Sequence, residues 1–182
     1  MRGWGFKRVL MALGLLLLSF AHLKGASSGF SLNDLRFKIG SILKREGKKL
    51  SPQQLVQVTE EVVKLGRQYH MDPLLILAVM RVESHFDPWA HSRRGAMGLM
   101  QVRPIVWKDV GEKGRHSVIA NVRVGVQYLA KLVERFDGDI TKALLAYNAG
   151  PTALQRHFRL GTVPNASYQL KVLKAYSTYL ES

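Results

Sequence analysis

The chain has 182 residues, no cysteine, and a formal net charge of +14 from 27 basic and 13 acidic side chains. Without cysteine there is neither a disulfide framework nor a thiol for lipid attachment, so the fold must rest on its core alone. The length suits one compact domain, and no internal repeat or low-complexity tract suggests more.

Residues 1–21 have the parts of a secretory signal: Arg2, Lys7 and Arg8, an apolar stretch from Val9 to Leu18, then Ser19-Phe20-Ala21 with small residues at the recognition positions. The stretch is short for a membrane span. Export with removal after Ala21 is expected, and an uncleaved anchor is the alternative. The helical pattern of 22–67 is expected to pack on a main unit formed by 68–182.

A helix is predicted from Leu32 to about Lys44, with Leu35, Ile39 and Ile42 inward and Gly47 ending it. Ser51-Pro52-Gln53-Gln54 is a capping box with proline at the first helical position, and Leu55, Val58, Val62, Leu65 and Tyr69 then fall on one stripe. Asp72 and Pro73 open a third helix, Leu74 onward, that is apolar around most of its circumference and therefore buried. Glu83 lies in its last turn. Desolvation and the negative end of the helix dipole both disfavour a carboxylate there, so a raised pKa is predicted; a solvent-facing helix end is the plain alternative.

From Asp87 to about Arg103 the helical period fails between Pro88, Gly95, Gly98 and Pro104, which predicts a loop with at most a small hairpin near Gly95 to Gln101. Asn121 is expected to cap the next helix, which ends at Asp137-Gly138. Asp139 opens another, Ile140 to Ala149, terminated by Gly150-Pro151. A last helix from about Ala166 to Leu180 carries Val172, Ala175, Tyr176 and Tyr179 inward. Six or seven helices and one irregular loop define a mainly α fold.

The excess of positive charge favours polyanionic partners. Nucleic acid is not expected, because the basic residues are scattered, Trp4, Trp89 and Trp107 are far apart, and no zinc-finger or RNP pattern occurs. Anionic cell-wall polymer or a peripheral membrane contact fits an exported chain better, with simple solubility as the bland reading. His85 and His91, with Glu83 and Asp87, reproduce no metal-ligand spacing, so neither a metal nor a cofactor is expected.

Gly95-Ala96-Met97-Gly98-Leu99-Met100-Gln101 alternates small and large residues around two glycines, letting backbone approach a ligand closely. With Glu83-Ser84, Phe86-Asp87-Pro88 and Ser92 before it, and Asn121-Val122, Gly125, Tyr128-Leu129, Ala146-Tyr147-Asn148-Ala149-Gly150, Tyr168, Val172 and Tyr176 after it, the pattern resembles the soluble, lysozyme-like lytic transglycosylases that cleave peptidoglycan. The resemblance covers about residues 68 to 180. Arg93-Arg94 and His85 depart from it.

That resemblance implies a lysozyme-like α-helical domain, a monomer placed in the periplasm or cell envelope, acting on peptidoglycan glycan strands. Glu83 would be the sole catalytic acid and base. Ser92, Met100 and Gln101 would line the sugar groove, Asn121 would support the site, Tyr147 and Asn148 would lie beside the catalytic carboxyl, and Tyr168 would match a late tyrosine of the pattern. Tyr147 is expected to hydrogen-bond Glu83 or steady the substrate acetamido group, with core packing as its plain alternative. The implied reaction breaks the β-1,4 bond between N-acetylmuramic acid and N-acetylglucosamine and leaves a 1,6-anhydromuramyl end. A single carboxyl would suffice because the muramyl C6 hydroxyl attacks within its own sugar, whereas an ordinary glycosidase needs two carboxyls. Asp109 and Glu112, as rival carboxylates, read as surface charge. A lysozyme-type hydrolase and a noncatalytic wall-binding assembly module remain the competing readings. By analogy, the small size fits specialised enzymes that open the wall for secretion or pilus machines.

Overall fold

The computed structural model describes residues 31–110, 117–162 and 164–182; the proposed leader and Glu112 lie outside them. Eight helices are found among these residues: α1 Leu32–Glu46, α2 Pro52–Gln68, α3 Pro73–Ser84, α4 Pro104–Val110, α5 Val118–Arg135, α6 Ile140–Ala149, α7 Pro151–Arg159 and α8 Ser167–Glu181. Local chemistry sets most of their starts. Ser51 and Gln54 form the full capping box of α2, Asp72 accepts from the Leu74 amide at 2.8 Å to open α3, and Asp139 caps α6 through the Lys142 amide.

Two helices were not expected. Pro104 and Pro151 occupy the first turns of α4 and α7, where a missing N–H costs nothing, so they start helices rather than merely ending the segments before them. The start of α5 also differs: Ser117 is its cap, accepting from the Ala120 amide at 3.2 Å, and Asn121 sits inside the helix. The hairpin near Gly95 reduces to isolated antiparallel bridges, His91 with Met97 and Met97 with Val102.

α3 is the axis of the core. Leu74 through Met80 are all buried, and each aliphatic side chain withdrawn from water contributes roughly 1.5–3 kcal/mol before entropy. α8 packs along α3 most extensively, while α1 and α2 pack together and onto α3, and α5 bridges α2 and α6. Residues of α1 and α2, including Ile39, Ile42, Val58 and Val62, join the same hydrophobic cluster as α3, α5 and α6.

Polar contacts fix the register of this packing. Tyr168 near the start of α8 reaches Glu83 at the end of α3, and Tyr176, about two turns on, donates to Asp72 Oδ2 at 2.6 Å at its start. The two helices therefore run in opposite directions. Tyr179 donates to Glu46 Oε2 at 2.8 Å, Arg81 pairs with the same carboxylate, and Arg123 joins the buried Glu61 at 3.0 Å, tying α2 to α5. No helix among the described residues is long and apolar enough to cross a membrane.

Candidate active site

Glu83 emerges from the last turn of α3, partly exposed, with its Oε1 accepting a 2.6 Å hydrogen bond from the Tyr168 hydroxyl. Burial pushes its pKa up to about 7, against the opposing effects of the Tyr168 bond and the positive charge of Arg103. The predicted rise is present, with desolvation as its cause. Ser84 donates to Leu99 O at 2.8 Å, fastening the end of α3 to the glycine-rich segment. The chain then turns through two left-handed residues, His85 at φ 52° and Phe86 at φ 59°. Such conformations cost a non-glycine residue about 1 kcal/mol or more, and the fully buried Phe86 ring provides the anchor that holds them.

The next carboxylate is occupied elsewhere. Asp87 pairs with Lys49 and accepts from the Trp89 amide at 2.9 Å; the Lys49 hydrogen bond leads the effects that hold its pKa below the usual value. Asp109 is exposed on α4, and its charge acts on Tyr128. Among the described residues no group of three or more potential metal ligands occurs.

The glycine-rich segment is held from beneath by Asn121, which is 2% exposed. Its Oδ1 accepts from the Met100 amide at 2.9 Å and its Nδ2 donates to Met97 O at 2.7 Å. Gly98 has φ 75°, and a Cβ there would stand 2.6 Å from the Asn121 amide, so glycine is required both by conformation and by space. Gln101 donates from Nε2 to Ala90 O at 3.0 Å and Gly98 O at 3.2 Å, which leaves its carbonyl oxygen for a ligand. Ser92 lies at a tight turn, its hydroxyl accepting from the Ala96 amide at 3.0 Å, with Arg93 and Arg94 exposed at the tip.

Two expected contacts are corrected. Met100 is wholly buried, its side chain pressed against Gly125, so it supports the segment from the core side and does not line a groove. The reason is packing: Gly125 leaves a gap in α5 that the flexible thioether fills. Tyr147 does not hydrogen-bond Glu83. Its hydroxyl donates to Met100 O at 2.9 Å, and the bond expected from it comes instead from Tyr168, because α8 closes over the end of α3. Tyr147 stays close enough for the Glu83 charge to raise its pKa, after the larger effect of burial. Asn148 is exposed in the last turn of α6.

The family model described as the Transglycosylase SLT domain matches residues 61–168. The chain belongs to this family. The chain is 37% identical over 121 aligned residues to a membrane-bound lytic murein transglycosylase F of Desulfosudis oleivorans, covering 60% of this chain and 26% of that protein. It is 36% identical over 95 residues to a transglycosylase of Enterobacteria phage PRD1, covering 52% of this chain and 36% of the phage protein. Among solved structures, the lytic transglycosylase Slt of Pseudomonas aeruginosa, determined as an inactive glutamate-to-glutamine mutant, superposes with a TM-score of 0.59 at 26% identity, over 67% of this chain and 24% of that one. The chain thus spans about a quarter to a third of the length of these relatives, and its fold is the all-α, lysozyme-like transglycosylase fold.

Within this SLT domain, the structure brings Glu83 and Tyr168 into contact and joins Met100, Asn121 and Tyr147 in one support beneath the glycine-rich segment. Arg103 was missed. It follows Gln101-Val102 directly, but a lone arginine before a proline carries no periodic signal, and only the fold sets its charge near Glu83.

Proposed function

We propose that the protein is a peptidoglycan lytic transglycosylase in which Glu83 acts first as acid and then as base. One observation carries this: a single carboxyl at the end of α3 is poised near pH 7 by burial, while the next carboxylate along the chain, Asp87, is committed to Lys49. An acid with a pKa near the working pH combines a useful protonated fraction with a strong enough drive to give the proton up.

In this reading protonated Glu83 donates to the glycosidic oxygen between N-acetylmuramic acid and N-acetylglucosamine. The C1–O bond breaks, and the 2-acetamido group stabilises the positive charge developing at C1. The Glu83 carboxylate then takes the proton of the muramyl C6 hydroxyl as its oxygen attacks C1, closing the 1,6-anhydro ring and restoring the acid. No water enters. Tyr168 holds the carboxyl in one orientation and favours its charged form, which assists the first step. Gln101, with its amide nitrogen committed to backbone, and Ser92 at the adjacent turn are assigned to the glycan groove, with Tyr147 and Asn148 flanking the carboxyl.

The family membership, the likeness to proteins named lytic transglycosylases and the net charge support an exported enzyme working on anionic wall polymer. Mass spectrometry of muropeptides released from purified sacculi tests the reaction. Products one water lighter than reducing ends, resistant to borohydride and absent with Glu83→Gln, are expected. Reducing ends would instead assign a lysozyme-type hydrolysis, and no release would leave a wall-binding module.

A further inference from the structure

Arg103 is a half-buried cation at the site with no carboxylate in ion-pair range among the described residues. Two neutral features hold it. Its Nη2 lies 3.4 Å from where a Cβ would stand on Gly150, so the guanidinium rests against the junction between α6 and α7. It interacts with the Tyr128 hydroxyl, whose ring packs against Tyr147 at 5.5 Å between centroids. Tyr147 in turn is pinned to Met100 O. The arginine therefore rests on a rigid aromatic support while its charge reaches Glu83.

A guanidinium has five N–H donors and cannot discard its charge, so when partly desolvated it is usually matched by an anion. Glu83, the acid on which its charge acts, must be neutral when the reaction begins, and no carboxylate among the described residues forms an ion pair with the guanidinium. We infer that Arg103 is a substrate-reading residue that binds a carboxylate of the glycan strand beside the scissile bond. The inference rests on the proposed transglycosylase reading. Two parts of the substrate carry that group: the lactyl carboxyl of a muramyl residue stripped of its peptide, and the carboxylates of an attached stem peptide. Both present planar oxygens that suit the arginine fork.

The test compares the parent, Arg103→Gln and Arg103→Lys on three substrates. These are native sacculi, the same sacculi with carboxylates converted to neutral amides, and glycan strands stripped of peptide by an amidase. Where the stem is read, the parent is expected to lose roughly tenfold in kcat/KM on amidated sacculi, the usual scale of one charge-assisted contact; where the lactyl carboxyl is read, which is an amide wherever a stem is attached, it should be indifferent to amidation and gain a similar factor on stripped strands. In either case Arg103→Gln should lose that factor on the substrate carrying the recognised carboxylate and be indifferent to its absence, with Arg103→Lys between them. A larger dependence on Arg103 with stripped strands assigns the lactyl carboxylate; a larger one with peptide-bearing strands assigns the stem. An equal loss on all three substrates, or no loss on any of them, overturns the inference, because the arginine would then serve only the protein itself. Co-sedimentation of Glu83→Gln and Glu83→Gln/Arg103→Gln with native and amidated sacculi separates this from the reaction: a parent that releases no muropeptide refutes the transglycosylase reading, while binding still decides the arginine. Carboxylate-dependent binding lost with Arg103→Gln supports it, and binding that is the same in both proteins, to sacculi and to stripped strands alike, refutes it.

Discussion

Replacing Glu83 by glutamine should stabilise the fold while abolishing the chemistry, and the size of the gain follows from the site. Burial raises the carboxyl from 4.5 to about 7 in the folded protein, whereas in the unfolded chain it regains its ordinary value. At 1.36 kcal/mol per unit of pKa, ionising this group in the native state costs up to about 3 kcal/mol more than in the unfolded chain. Below the unfolded value both states hold the proton and no penalty exists. Between about 4.5 and 7 the unfolded chain has lost its proton and the native one keeps it, so stability falls as pH rises, and above about 7 the penalty is complete. Glutamine keeps an acceptor for Tyr168 but cannot ionise. Urea unfolding at pH 4, 6 and 8 should therefore show Glu83→Gln close to the parent at pH 4 and more stable at pH 8, by up to about 3 kcal/mol, a ceiling because Glu83 retains some contact with water. A stability difference that is flat with pH, or that grows toward acid, would refute the claim that desolvation governs this carboxyl.

Tyr168→Phe removes the 2.6 Å bond that favours the carboxylate, so the Glu83 pKa should climb further and the alkaline limb of kcat/KM should move to higher pH, with a loss of roughly tenfold in rate. An unmoved limb in the pH profile would detach Tyr168 from the acid. Gly98→Ala should destabilise the domain by about 2–4 kcal/mol in thermal or urea unfolding, because its Cβ would meet the Asn121 amide at 2.6 Å and its φ of 75° is strained for alanine. A variant as stable as the parent would mean that the Asn121 support yields without cost.

Sequence alone determined the helices whose ends carry their own chemistry. Ser51, Asp72 and Asp139 set the starts of α2, α3 and α6, and the unbroken apolar run of α3 both required burial and placed an acid at its far end. Those are local facts, settled by side chains reaching amides a few residues away. Prolines 104 and 151 were ambiguous for the same local reason, since a residue that ends one helix is also favoured in the first turn of the next. Asn121 carried the signal of a cap, yet Ser117 takes that role and Asn121 spends both halves of its amide on a segment some twenty residues earlier in the chain. Only the tertiary structure decided which tyrosine meets Glu83, that Met100 faces the core, and that the charge of Arg103 reaches the acid. Each of these depends on the antiparallel closure of α8 on α3 or on the seating of the glycine-rich segment against α5. Contacts between residues so far apart in the chain leave no periodic trace in it, because they are fixed by how whole helices pack and not by the neighbours of any one residue.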